Sequence, residues 1–422
     1  MAIMSRFNSL LSTLLFVLPV AITALNPGFP YGEVKVRGVN LGGWLLTEPW
    51  ITPSLFDKTG DDRIVDEYTF GQLQSREVAL AALQQHWDTF ITEADIAEIA
   101  AAGLNHIRVP IGYWAFESGY RSDEPYIPGQ LPYLHKVIGW ATNHNLKVII
   151  DLHGAPGSQN GFDNSGERTD PPRWHSNPSN VQRTNAVIKE IAALFANDPT
   201  NIPIIAPLNE PAGFKDYNIV TTARQYWLDS YQSIRHPEGQ PESRTVVLIS
   251  DAFQHLGPWA GFMAGPTHEN VAMDIHIYQV FSPEENARTD EQHIQHACGN
   301  AHELSTFHLW TIVGEWCPAP TDCARYLNGR GLGARYDGSF PHSYYIGNCA
   351  EKTGDVSNYS ASYKEFLRKY WEAQVSTFEK GAGWIQWTWK VEEAHDWSYQ
   401  SGVRNGWIPQ NAGERLYPNI CG

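Results

Sequence analysis

A (β/α)₈ barrel, an α/β fold with extended loops after its strands, is what this sequence predicts, on three observations. Eight short, nearly continuous apolar or β-branched runs recur along the chain, and helical stretches or long polar loops separate them. The C-terminal ends of six of these runs carry polar or aromatic side chains. Runs that are apolar at every position suit strands buried on both faces, as parallel strands are. Their alternation with helices suits a closed barrel whose chemistry sits at the strands' C-terminal ends. The 422 residues fit one such unit, because barrels routinely exceed the ~150-residue domain prior. A doubly wound open sheet is the alternative, but it would show a Gly-rich phosphate turn after its first strand. Here Gly38 to Gly43 leads into Trp44 and Leu45 instead.

The elements follow in chain order. Residues 1–24 are expected to be a secretory leader rather than fold. Arg6 supplies the positive end, Leu10 to Val20 the apolar stretch, and Ala21-Ile22-Thr23-Ala24 the small residues for cleavage. The apolar stretch is too short to span a bilayer comfortably, no second one follows, and no lipid anchor is expected at the C-terminus. Residues 25–422 then form the expected catalytic barrel, without an internal linker. The strands are expected at Val34–Val39, Leu104–Pro110, Leu146–Leu152, Ile202–Leu208, Thr245–Ser250, Val271–Tyr278, Leu309–Gly314 and Gly383–Trp389. Between the first two, Thr92 and Asp95 resemble a capping box, and Ile96, Ile99, Ala100 and Leu104 repeat at helical spacing. Further helices are expected over Val181–Phe195 and Tyr363–Phe378.

Composition excludes several classes. An apolar fraction of 42 %, with 16 Trp, 19 Tyr and 17 Phe, is far from that of a disordered chain. A formal charge of −16 argues against a protein that tracks nucleic-acid phosphates. Five cysteines lie in the last third, Cys298, Cys317, Cys323, Cys349 and Cys421, and no pair has the C-x-x-C spacing of zinc or redox sites. Disulfides in an oxidising compartment are the better reading, with one thiol left over. Asn358-Tyr359-Ser360 is a glycosylation sequon, which fits secretion.

The strand ends carry the chemistry. The second run holds Arg108, the third ends Asp151-Leu152-His153, and the fourth ends Asn209-Glu210-Pro211. The sixth contains His276 and Tyr278, the seventh ends Gly314-Glu315-Trp316, and the eighth brings Trp384, Trp387 and Trp389. A lone Glu after a strand is ordinarily a solvated loop residue, but six decorated ends at one rim are not explained by packing. Two carboxylates flanked by imidazole, guanidinium and indole suit glycoside hydrolysis. One acid protonates the leaving oxygen, a carboxylate meets the oxocarbenium-like centre, and sugar faces stack on rings. No G-x-S-x-G elbow, H-E-x-x-H pair or Walker A loop competes.

These stretches resemble a known family. Arg37-Gly-Val-Asn-Leu-Gly-Gly-Trp44, Arg108-Val-Pro-Ile-Gly-Tyr-Trp114 and Asp151-Leu-His-Gly-Ala-Pro-Gly-Ser-Gln-Asn160 are similar to the fungal exo-β-1,3-glucanases of glycoside hydrolase family five. So are Gly161-Phe-Asp-Asn-Ser-Gly166, Asn209-Glu-Pro211, His276-Ile-Tyr-Gln-Val-Phe281, Gly314-Glu-Trp316 and Trp384-Ile-Gln-Trp-Thr-Trp389. The resemblance runs from about Val36 to Cys421 and implies a retaining mechanism. Glu210 would be the general acid/base and Glu315 the nucleophile. Arg108 and Tyr278 would support Glu315, Asn209 would hold the sugar 2-hydroxyl, and His153, His276 and Trp387 would line the first sugar site. Glu48 and Asp163 would bind the terminal sugar and close the pocket, Phe162 and Phe281 would clamp the next glucose, and Asn164 and Asn328 would add contacts. Trp50 stands where the family more often has Tyr. The family pairs Cys298 with Cys421 and Cys323 with Cys349, leaving Cys317 unpaired. Retention further predicts carboxyl groups about 5 Å apart.

The resemblance thus implies an enzyme releasing glucose from non-reducing ends of β-1,3-glucan in the fungal cell wall, with transglycosylation as a side reaction. An endo-acting or β-1,6-glucanase, or a non-catalytic glucan-binding barrel, is the alternative. No metal or organic cofactor is implied. The expected partner is β-glucan polysaccharide or oligosaccharide, with neither nucleic acid nor, after leader removal, membrane. The chain is expected to act as a secreted, extracellular monomer, retained at the cell wall or free.

Overall fold

The computed structural model describes residues 26–422, so the expected leader at 1–24 lies outside the described residues. Among the described residues, eight parallel strands close into a barrel in sequence order: β1 (Val36–Asn40), β2 (His106–Gly112), β3 (Lys147–Gly154), β4 (Ile204–Ala206), β5 (Val246–Ser250), β6 (Val271–His276), β7 (Trp310–Glu315) and β8 (Gly383–Gln386). Closure comes from β8 pairing with β1, Val36 opposite Gly383. Gly383 lies at φ 137°, and a Cβ there would fall 2.1 Å from the carbonyl oxygen of Val36, so only glycine permits this seam.

All eight expected strands are present, with shifted ends. β6 stops at His276 and β8 at Gln386, short of the expected Tyr278 and Trp389, and β4 has three residues. The apolar pattern reports burial, not ladder bonds. Tyr278, Trp387 and Trp389 are buried or nearly so, but in the loops that fold over the barrel's C-terminal rim. The expected helix starting at Thr92 covers Glu93–Ala101, and both the backbone N–H and the hydroxyl of Thr92 donate to Asp95 Oδ2 at 2.9 Å. It ends before Leu104 because Gly103 turns the chain at φ 74°. The other two expected helices run over Pro178–Phe195 and Ala361–Phe378. A helix over Arg76–Thr89, not expected from the sequence, buries Ala79, Leu83, His86 and Trp87.

Packing follows the two-layer logic of the fold. Ile149, Ile204, Val246, Leu248, Ile312 and Ile385 belong to one buried cluster, and a much larger cluster lies between strands and helices. The strands' N-terminal ends are closed by Phe29 and Tyr31. Tyr31 meets His106 through its hydroxyl at 3.0 Å, and Phe29 packs edge-to-face on the same imidazole. A plugged floor leaves the opposite rim as the end where substrate can enter. Disulfides join Cys298 to Cys421 and Cys323 to Cys349, the pairs implied by the resemblance. Cys317 is the free cysteine among the described residues; it is buried, and burial pushes its thiol well above the ordinary value, which leaves it unreactive. No helix of the described residues is long and apolar enough to cross a membrane.

Candidate active site

A side chain from within β2 and groups at and just beyond the end of β6 converge on Glu315, the last residue of β7. Arg108 of β2 donates from Nη1 to Glu315 Oε1 at 2.8 Å, and the Tyr278 hydroxyl, two residues beyond β6, donates to Oε2 at 3.0 Å. His276 ends β6 at a register shift between Ile275 and His276, an irregularity of the sort that re-aims a side chain at a site. Its Nδ1 stands 2.7 Å from Glu210 Oε1 and 3.5 Å from Glu315 Oε2. A carboxylate oxygen of each glutamate and the imidazole nitrogen all lie within 4.8 Å of one another.

Glu210 follows β4 in a strained backbone, at φ 44°. A non-glycine residue there costs on the order of 1–3 kcal/mol and persists only when its neighbours hold it. They do so here: Asn209 donates its N–H to Leu152 at 2.9 Å, and Gln159 Nε2 donates to the carbonyls of both His153 and Asn209. Arg108 Nη2 also donates to Asn209 Oδ1 at 2.8 Å, while Asn209 Nδ2 faces His153 Nε2 at 3.3 Å. His153 is fixed in turn by Asp151, 2.6 Å from its Nδ1, and its ring stacks on Trp387 with centroids 5.4 Å apart.

The electrostatics centre on His276. Burial opposes its charged form, but Glu315, Asp274 and Glu210 outweigh burial and raise its pKa well above the ordinary value. For Glu210, burial alone would raise the pKa, yet the imidazolium of His276 holds it below the usual value. Glu315 stands above its usual value, raised by burial and by Glu210 against the pull of His276 and Arg108. The three groups titrate as a unit.

Among the described residues this same trio has the spacing of metal ligands. Its oxygens are engaged by Arg108, Tyr278, His276 and Asn164. A guanidinium 2.8 Å from Glu315 would repel a divalent ion, so the donor set suits proton transfer.

The rim residues are arranged around the trio. Trp50 Nε1 donates to Glu48 Oε2 at 2.9 Å, so the Trp in the usual Tyr position acts as a positioning group for that carboxylate. Glu48 Oε1 and Asp163 Oδ2 are buried and have no hydrogen-bond partner among the described residues. Burial and neighbouring acids push Glu48 well above the carboxylate range, and burial and Asp66 push Asp163 up to about 7. Asn164 donates to Glu210 Oε2 at 3.3 Å. Asn328 Nδ2 donates to Asp322 and to the Gly333 carbonyl, and Oδ1 accepts from Arg335, so both of its N–H groups are engaged within its own loop. Phe281 is 44 % exposed and packs edge-to-face on Tyr278; Phe162 stacks on Phe214. Asn358 is exposed on the turn Val356–Asn358.

Sequence reasoning left out Asn40, Asp274 and Gln159, and it noted Asp151 without giving it a role. Asn40 Oδ1 accepts from Arg108 at 2.9 Å, and Asp151 and Asp274 stand 3.2 and 3.8 Å from the same guanidinium. For Asp151 and Asp274 the signal was present: a carboxylate inside an otherwise apolar strand needs a buried cation.

A parallel barrel whose β4 and β7 ends present two carboxylates within 4.8 Å of each other, with a guanidinium on one and an imidazole on the other, has the constellation of a glycosidic-bond-cleaving enzyme. Comparison with known proteins agrees. Residues 72–320 match the family model described as Cellulase (glycosyl hydrolase family 5). The chain belongs to glycosyl hydrolase family 5. It is 44 % identical over 412 residues to a glucan 1,3-beta-glucosidase of Blumeria graminis, covering 96 % of this chain and 94 % of that one. It is 46 % identical over 393 residues to a probable glucan 1,3-beta-glucosidase A of Emericella nidulans, covering 92 % and 93 %. A rutinosidase from Aspergillus niger shares the fold at a TM-score of 0.68 and 21 % identity, over 89 % of this chain and 98 % of that one.

Proposed function

We propose that this chain is a retaining glucan 1,3-β-glucosidase that removes glucose from the non-reducing ends of β-1,3-glucan. The observation carrying this reading is the Glu210–Glu315 pair, a carboxylate oxygen of each within 4.8 Å of the other, close to the ~5 Å of double-displacement sites and well under the ~6.5–9.5 Å that a site seating a water beside the sugar needs. Glu315 attacks the anomeric carbon as that carbon's bond to the leaving oxygen breaks, and Glu210 delivers its proton to that oxygen. Glu210 then takes a proton from water, whose oxygen displaces Glu315 from the same carbon. The 2.7 Å contact between His276 Nδ1 and Glu210 Oε1 is the path on which the imidazolium's proton passes to Glu210 as Glu210 delivers one to the leaving oxygen. Arg108 and Tyr278 stabilise the carboxylate that departs in the second step.

Exo action follows from the wall formed by Glu48, Trp50 and Asp163. The free acceptors Glu48 Oε1 and Asp163 Oδ2 suit hydroxyls of a terminal sugar, which a mid-chain sugar would not present in the same way. Phe162, on Glu210's side, would grip the leaving glucose with Phe281, and an acceptor sugar held there in place of water would give transglycosylation. The substrate is fungal wall or storage glucan, and the protein acts as a secreted monomer, with Asn358 available for glycosylation.

Laminarin is the test. Glucose as the main product, formed first as the β-anomer, is expected. A ladder of oligosaccharides would remove the exo assignment, and α-glucose as the first product would remove retention. Glu315→Ala should fold and bind glucan yet lose turnover by several orders of magnitude.

A further inference from the structure

Three phenylalanines from consecutive loops form a row beside Glu210. Phe162 follows β3, Phe214 follows β4 and Phe253 follows β5. The rings of Phe162 and Phe214 are stacked at 23° with centroids 6.4 Å apart, and Phe253 meets Phe214 edge-to-face at 5.3 Å. The row is tied to Glu210 by hydrogen bonds. Asn164 donates to Glu210 Oε2, Asn160 donates to Asn164 Oδ1 at 3.0 Å, and the N–H of Phe162 donates to Asn160 Oδ1 at 2.9 Å. If Glu210 protonates the leaving oxygen, as proposed above, this row lines the path of the leaving chain.

Phe214 is the member that packing does not explain. It is 58 % exposed, although a large apolar side chain gains most from being buried. Its backbone is nevertheless held firmly. Ala212 donates its N–H to Gln159 at 3.1 Å, Lys215 donates to Ala212 at 2.9 Å, and a Cβ on Gly213 would lie 2.7 Å from the Ala252 carbonyl. Its neighbour Phe253 sits at φ 58°, between Ala252 at 52° and, two residues on, His255 at 56°. Asp251 accepts the N–H groups of both Phe253 and His255, which holds that strained turn in place. Three loops thus brace the backbone that carries this solvent-facing ring, and Phe162 and Phe253 flank it.

We propose that Phe214 is a glucan platform beyond the Phe162–Phe281 clamp, taking the apolar face of the second sugar of the leaving chain. The occupant is the leaving β-glucan itself, because the row is continuous with Glu210 and an exposed ring on a braced backbone offers stacking without hydrogen-bond selectivity. The consequence is a preference for chains over the disaccharide, whose single leaving glucose ends at the clamp.

The test compares kcat/KM on laminaribiose and laminaripentaose for the wild type, Phe214→Ala and Phe214→Trp. The pentaose-to-biose ratio is expected to fall roughly tenfold in Phe214→Ala, mainly through KM, and to be retained in Phe214→Trp. An unchanged ratio in Phe214→Ala overturns the proposal, as does an equal loss on both substrates. A wild-type enzyme that cleaves neither oligosaccharide removes the reading of the site on which the proposal rests, which is a different failure from an unchanged ratio.

Discussion

Replacing Arg108 with methionine removes the cation but keeps much of the buried volume. The guanidinium stands 2.8 Å from Glu315, 3.2 Å from Asp151 and 3.8 Å from Asp274, and it donates to Asn40 and Asn209 as well. Removing one partner of such a buried set costs about 3–5 kcal/mol, because the charge left behind is uncompensated. For a chain of this length that is a fall of roughly 5 °C in Tm. The loss depends on pH, with a definite sign. Glu315 already stands above its ordinary value of 4.5 through burial and Glu210, and Arg108 is one of the groups pulling it down. Without Arg108 its folded pKa rises further above the unfolded one. A carboxyl with a raised folded pKa keeps its stabilising proton below the unfolded value and loses that stability as pH rises through the folded value. The Tm gap between wild type and variant is therefore smallest near pH 4 and widens toward pH 7. Activity moves the other way: a protonated Glu315 cannot attack, so the variant's residual turnover increases with pH relative to wild type. Thermal unfolding and initial rates on an aryl β-glucoside, both measured from pH 4 to 7, test this. A pH-independent Tm gap, together with superimposable rate profiles, would refute the argument that Arg108 acts through the charge of Glu315.

Glu210→Ala should lower kcat/KM on laminarin by about 10³, within the range of general acid catalysis. An aryl glucoside with an activated leaving group should lose far less in the glycosylation step, seen as a burst of released phenol. Cys298→Ser opens a disulfide spanning 123 residues and should lower stability by about 2–5 kcal/mol, read as a drop in Tm in non-reducing buffer.

The barrel was legible because its eight strands are apolar at nearly every position, a pattern that only two-sided burial produces. The ends of those strands were less legible. At Tyr278, Trp387 and Trp389 the burial continues after the ladder has stopped, so hydrophobicity alone cannot mark the boundary. Glu210 and Glu315 could be found because each closes an apolar run and each sits in a motif the resemblance recognises. Asn40, Asp151 and Asp274 were harder to interpret: their role is to surround one guanidinium, and three strands distant in sequence must close into a barrel before they meet. The surroundings of Asn328 were not legible either. It lies in a loop whose internal hydrogen bonds consume its amide, and nothing in the linear sequence shows that Asp322, Gly333 and Arg335 fold back onto it.

The aromatic richness of the chain separates fold from function by residue type. Twelve of the 16 tryptophans are fully buried, among them Trp44, Trp114, Trp316 and Trp384, so most of the indole content fills the space between strands, helices and loops. The large exposed rings are instead Phe214, Tyr217, Phe281, Tyr344 and Tyr345, none of them tryptophan. Packing can dispense with these rings, and two of them, Phe214 and Phe281, adjoin the clamp and the Glu210 side of the site. Trp387 is the exception that links the sets: it is buried like the core tryptophans yet stacks on His153. Its removal should therefore affect folding and sugar binding together, whereas changes at Phe214 or Phe281 should act on sugar binding with the fold intact.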